Sequence, residues 1–262
     1  MTNFAVLTKK EFVQMLRELK IIWFPLVFVF IGMSQPILNY YLPAIIKSLG
    51  GNQGIIIDPH MIAQKGGEVL AGTLGSQFDQ LGVIIIIVSL MGAVQSDKAN
   101  GMLAFIMTRP VSIVEYLSAK VFSNYLFVAA SVAIGYLVSF LYVNFLFSNV
   151  NPVDMLLALL IYLVWVQFIV LFTTMISTLF NGQGIIALLS IVFLLLCRVI
   201  VGLSPAIDLI NPAAMSKHAM EVLTMSTISS TLGWNLLLTL LLSVLVILVS
   251  HQWIAKKKYH HV

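Results

Sequence analysis

The chain has 262 residues, of which 60% are hydrophobic and only 9% charged, and its mean hydropathy is +1.03. Soluble domains carry about 25% charged residues, so the composition excludes an ordinary globular protein and specifies an integral membrane protein. The net charge of +4 is not spread over a polar domain as a basic face, which argues against nucleic-acid binding.

The first twenty residues, MTNFAVLTKKEFVQMLRELK, precede any long apolar run, and no cleavable signal peptide is read in them. Phe4, Leu7, Phe12, Met15, Leu16 and Leu19 recur at near-helical spacing, interleaved with Lys9, Lys10, Glu11, Arg17, Glu18 and Lys20. That pattern predicts an amphipathic helix lying in the membrane interface, with Phe12, Leu16 and Arg17 as its characteristic residues. It serves either as a simple anchor or as a lever touching a partner.

A hydrocarbon core about 30 Å thick needs about 20 apolar helical residues to cross it. Six segments qualify, at 21–43, 78–96, 121–147, 155–180, 184–204 and 232–254. The second is rich in Ile, but a lone strand in lipid leaves its backbone unsatisfied, so a helix is predicted there too. The expected fold is an all-α polytopic protein forming one transmembrane domain over 1–262.

Six crossings put both termini on one side. Lys9, Lys10, Arg17, Lys20, Lys98, Arg109, Lys120 and Lys256–Lys258 fall on that side, against Lys47, Lys65 and Lys217 opposite. Basic residues next to spans favour the cytoplasm, so both termini and the 97–120 segment are expected there, in the plasma membrane. Lys256–Lys258 reads as a stop-transfer and headgroup-binding cluster. Outside, 44–77 reads as a glycine-rich loop, Ser148–Asp154 as a short one, and 205–231 as a break at Pro205 and Pro212 followed by a short helix. That helix is either re-entrant or on the surface.

Residues 97–120 are unusual for so apolar a chain. Asp97 and Lys98 end the second span, Asn100-Gly101 makes a turn, and Met102, Leu103, Phe105, Ile106 and Met107 form a short helix broken at Arg109-Pro110. Ser112 followed by Glu115 has capping-box spacing and starts a second helix, running past Lys120 into span three.

Within the spans, Asn124, Ser131, Gly135 and Tyr142 fall near one face, as do Gln167, Thr174 and Thr178. Such residues mediate helix packing in lipid; the other reading is a translocation path or a seam between two copies. Arg198 is the one ionised side chain well inside a span, with Asp79 at a span edge. Arg198 is expected to snorkel to the outer headgroups, to pair with a residue such as Asp208, or to meet a substrate. Cys197 reads as a small buried hydrophobe and, being the single cysteine, has no intramolecular disulfide partner. His60, His218, His251, His260 and His261 show no metal-ligand spacing, and no catalytic group or metal site is expected.

The string DKANGMLAFIMTRPVSIVEYLSAK resembles the signature of type-2 ABC exporter permeases. In that family the second span is followed by an acidic residue, a spacer, GT-x-x-x-L-L-x-x-P-V-S-R and a helix ending in Gly-Lys. The matching residues are Asp97, Gly101, Leu103, Pro110, Val111, Ser112, Tyr116 and Lys120. Met102 stands where Thr is usual, Ile113 where Arg is common, and Ala119 where Gly precedes the Lys. The resemblance takes in the amphipathic helix, the six spans and the broken segment before the last, and hence nearly the whole chain. It implies a short permease subunit whose 97–120 segment is a coupling helix seated in a cytoplasmic ATPase. Asp97, Gly101, Met102, Leu103, Phe105, Arg109, Pro110, Glu115 and Lys120 would then couple two ATPase subunits to a dimer of permeases, identical or not. A rigid-body shift of spans two and three would transmit the push. No G-x-x-x-x-G-K-[ST] loop occurs here, so ATP and Mg would be bound by the partner, with no cofactor in this chain. The mostly apolar interior points to hydrophobic or amphipathic cargo: a peptide, lipid or drug. The alternatives are an immunity or sensory protein acting at the outer loops, or a lipid-modifying enzyme working without ATP; chemistry of the latter kind needs carboxylates or a Ser–His pair within the spans.

Overall fold

A computed structural model describes residues 3–49 and 64–256. Every regular element among them is helical. The helices are α1 (Asn3–Arg17), α2 (Lys20–Leu49), α3 (Gly66–Ala99), α4 (Met102–Met107), α5 (Ile113–Leu146), α6 (Pro152–Leu179), α7 (Gln183–Val199), α8 (Pro205–Ile210), α9 (Ala214–Met225) and α10 (Leu232–Lys256).

Five of these, in α2, α3, α5, α6 and α10, are long and apolar enough to cross a membrane. The remaining candidate, α7, is apolar but has 17 residues, about 25 Å at 1.5 Å per residue. Expected to reach 204, it stops at Val199, and the chain turns at Gly202 with φ of 91°. His60, His260, His261, Lys257, Lys258 and the glycine run at 50–55 lie outside the described residues.

The largest departure from expectation is at 66–77, read as loop because of its glycines. It is helix. In lipid, a glycine's missing side chain lets a neighbouring backbone approach closely. A Cβ on Gly66 would collide with the Ser148 carbonyl, and one on Gly67 with the Leu223 carbonyl. These glycines therefore seat α3 against the end of α5 and against α9. The same device joins α2 to α5, where Gly32 meets the Gly135 carbonyl and Gly135 meets that of Phe28.

α3 is long but not uniform. Thr73–Gly82 is π-helical, Val83–Leu90 is α-helical, and Met91–Val94 forms turns before Gln95–Ala99 resumes the helix. α6 is the most buried of the five long helices and carries the core residues Tyr162, Trp165, Ile169 and Val170. α5 starts as its sequence predicts: Ser112 Oγ accepts from the Glu115 amide at 3.1 Å, and the Ser112 amide donates to Glu115 Oε2 at 2.8 Å.

The two ends of the bundle differ. At one end α1 packs along α5, Asn3 bonds the Pro110 carbonyl, and Ile254 of α10 packs on Leu103, Ile106, Tyr116 and Leu117. The N-terminal helix, the 95–112 segment, the α6–α7 turn and the end of α10 therefore share this end. At the other, the Gly66 amide bonds Ser148 and Ser226 bonds Asp154. α9 leads there from the interior, with Ala214, Met215, Ser216, His218, Ala219, Val222 and Leu223 all buried. It is thus packed inside the bundle, not laid on its surface.

Candidate functional site

The 97–120 segment folds as helix, turn, short helix, break and helix, and its residues divide into two sets. Met102, Phe105, Arg109 and Pro110 are exposed, as is Gly101, which starts α4 with φ of 70°. The Arg109 guanidinium lies over the Phe105 ring, 5.1 Å from its centroid. Leu103, Asp97 and Lys120 point inward and are buried, so they do not present a surface to a partner. Glu115 is engaged in the α5 cap.

Asp97 and Lys120 form the centre of a charged node. Lys120 Nζ lies 2.6 Å from Asp97 Oδ2 and 3.3 Å from Glu11 Oε1, and donates to the Ala93 carbonyl. Lys10 Nζ stands 3.5 Å from Asp97 Oδ1 and 3.4 Å from Glu11 Oε1. The Tyr116 hydroxyl donates to Asp97 Oδ2 at 2.7 Å. Two lysines and two carboxylates make the node neutral, which is the condition for burying charge. It fastens α1, the end of α3 and the start of α5 together. α1 is therefore more than an anchor: Glu11 and Met15 are buried in the protein, Phe12 is half-buried, and Leu16 and Arg17 are exposed. A second set of bonds ties the end of α3 to the end of α6. Lys98 Nζ donates to the Thr178 carbonyl at 2.9 Å and the Phe180 carbonyl at 2.6 Å, and Gln95 Nε2 donates to the Asn181 carbonyl.

The expectations for the interior polar residues resolve differently. Asn124, Ser131, Thr174 and Thr178 are buried, and each bonds the carbonyl four residues back on its own helix. They serve packing. Tyr142 and Gln167 are half-buried. Gln167 lines an apolar groove of about 580 Å³ between α5, α6 and α10, with Leu117, Tyr125, Leu171, Val246 and His251.

Arg198 does not pair with Asp208. Its Nε lies 2.5 Å from Asp79 Oδ2, and its Nη2 donates to the Gly75 carbonyl at 3.3 Å. Since α3 starts at Gly66, Asp79 sits inside the helix, not at its edge, and is fully buried. Ser216 of α9 donates to the same carboxylate, and the Tyr162 hydroxyl of α6 faces it. An unpaired charge there is expensive, so each ion requires the other. Asp208 pairs instead with Lys217 at 2.9 Å and accepts from the Gly202 amide at 2.8 Å. Burial opposes its charge, but the Gly202 amide and Lys217 outweigh it and hold the carboxyl below its usual range. Its hydrogen bond to Asp208 in turn holds the Lys217 ammonium above its usual value.

Lys10, Glu11, Asp79, Ser177, Ser216 and Tyr162 were not singled out from sequence as site residues. Asp79 offered a signal, as a lone acid beside an apolar run; the others are ordinary residues until the helices pack. Among the described residues, no group of three or more His, Cys, Asp or Glu is placed to hold a metal ion.

No family model matches the chain. It is 32% identical over 244 residues to a protein of Bacillus subtilis (strain 168) described as "Uncharacterized transmembrane protein YxlG". The match covers 93% of this chain and 94% of that protein.

Proposed function

The chain belongs to the family of the transmembrane protein YxlG. From the resemblance of its 97–120 segment to type-2 ABC exporter permeases, we propose that it is the permease subunit of an ATP-driven exporter of the ABC type. Two copies of a separate ATPase bind ATP and Mg, and two permease subunits, identical or not, move a hydrophobic or amphipathic cargo. The chain crosses the plasma membrane six times, α7 being the short crossing, with both termini in the cytoplasm. The grouping of Lys9, Lys10, Arg17, Lys20, Lys98, Arg109 and Lys256 at one end of the bundle supports that sidedness.

One observation carries the reading. A short helix with Met102 and Phe105 exposed, followed by the exposed Arg109, is mounted on a buried charged node that joins three other helices. A loose loop would absorb a push; this one is bonded to α1, α3 and α5 and passes it on.

Co-purification from native membranes tests it. The wild-type chain brings down an ATPase, and Phe105→Asp releases it while thermal unfolding stays unchanged, since Phe105 is 56% exposed. A wild-type chain purified without any ATPase, or an undiminished complex in Phe105→Asp, refutes the assignment.

A further inference from the structure

α3 is interrupted between its membrane-spanning body and the 97–120 segment. The Ala93 amide bonds the Leu90 carbonyl, three residues back, at 2.8 Å. The next two amides, of Val94 and Gln95, leave the helix ladder altogether. Both donate to Ser177 Oγ on α6, at 3.1 and 3.0 Å. The same hydroxyl donates to the Met91 carbonyl at 2.9 Å. One side chain has entered the ladder and taken the place of two helical bonds, an arrangement that kinks helices. Regular bonding resumes with the Ser96 amide to the Gly92 carbonyl at 3.0 Å.

Neighbours satisfy the groups around the break. Lys20 of α2 donates to the Ser89 carbonyl at 3.3 Å, and Lys120 of α5 donates to that of Ala93. Buried backbone groups left unpaired are costly, so a break held by three other helices is a built feature, not a frayed end. Gly92 sits within it, where the backbone is least constrained. Ser177 is fully buried, which keeps water from competing for its bonds.

The two arms are held differently. Above the break, Val83, Ile86, Ile87 and Leu90 are buried in the main core. Below it, Gln95–Ala99 is held by directional polar bonds to α6, α5 and α1. Packed apolar surface keeps the body of α3 rigid, whereas at the break the helix's own ladder gives way to one side chain from another helix, the point at which helices bend.

We propose that Ser177 is a positioning residue. Its hydroxyl makes Met91–Val94 a hinge, with α6 as the fulcrum on which the 95–112 segment turns relative to the body of α3. This rests on the permease reading for its purpose, but not for its existence. It replaces rigid-body transmission along α3 with a pivot.

The test uses the full chain in lipid nanodiscs. Spin labels are placed at Val88→Cys and Asn100→Cys in a Cys197→Ser background. A continuous helix would separate the two Cα atoms by about 18 Å. Ser177→Ala removes the inserted hydroxyl, so Val94 and Gln95 return to the ladder; the distance peak moves away from its wild-type position and narrows. Ser177→Thr keeps a hydroxyl and restores the wild-type distribution. Should Ser177→Ala fail to fold, Gly92→Ala stiffens the same turn from its own side; its Cβ would meet Gln183 Nε2 at 3.4 Å, an ordinary contact. Distributions in Ser177→Ala and Gly92→Ala that superimpose on wild type overturn the hinge. With the co-purified ATPase, adding ATP and vanadate shifts the wild-type and Ser177→Thr peaks but not that of Ser177→Ala; an equal shift in Ser177→Ala also overturns it. If no ATPase binds, the permease reading falls, and the nucleotide-free distances still decide the hinge.

Discussion

Replacing Lys120 with Met tests whether the charged node holds together the end of the bundle that carries α1. The side chain is 2% exposed, so its length is kept while its charge is removed from a dry site. Asp97 and Glu11 then lose their nearest cation, and the Ala93 carbonyl loses its donor. Removing one partner of a buried pair costs about 3–5 kcal/mol, because the other charge stays behind. Lys10 and the Tyr116 hydroxyl still reach Asp97, which places the loss near the lower bound, about 3 kcal/mol. By the scaling of soluble domains of 150–250 residues, that lowers the unfolding midpoint by roughly 6–12 °C. The single, half-buried Cys197 provides the assay: a thiol-reactive fluorophore reports its exposure on heating in detergent. Asp97→Asn combined with Lys120→Met is less damaging than the two separate losses added together, because the residues touch. A Lys120→Met protein unfolding within about 1 °C of wild type would show that the node carries none of the stability derived from it.

Arg198→Leu strands Asp79, which is fully buried, and is expected to cost about 3–5 kcal/mol; Asp79→Leu with Arg198→Leu recovers most of that in the same assay. Recovery that fails to appear means the two ions do not depend on each other. Gly135→Val drives a side chain into the Phe28 carbonyl and abolishes monodisperse protein on size exclusion, because backbone cannot move aside as a side chain can. Ser112→Ala removes the α5 cap and costs about 1 kcal/mol, seen as faster hydrogen exchange at the Glu115 and Tyr116 amides. For the Asp208–Lys217 pair, Asp208 is depressed when folded, so its stabilisation is present above its unfolded value of 3.8 and is lost as pH falls through the folded one. Lys217 is raised, so its part is complete below 10.5 and is lost above that as pH rises through the folded value. The midpoint difference between wild type and Asp208→Asn therefore shrinks below about pH 4. With Lys217 38% exposed, the difference stays under about 1 kcal/mol throughout.

Local chemistry in the chain was enough to settle what depends on neighbours in sequence. Long apolar runs have to be helical in lipid, because no water is present to satisfy a bare backbone. The Ser112–Glu115 spacing reads as a cap because both bonds close within one turn. Near-helical spacing likewise marks 1–20 as amphipathic before any partner is known. Packing decided what depends on residues far apart. Gly66, Gly67 and Gly72 look like loop on composition, and only α5, α9 and α2 crossing close by make them helix. Arg198 has acids on offer at 79 and 208, and helix depth, not sequence distance, selects Asp79. Ser177 is one serine among several in the spans; its role arises because the α3 ladder passes within 3.1 Å of its hydroxyl. A hydrogen bond between helices is set by where two rods cross, and that crossing is a property of all the side chains between them at once.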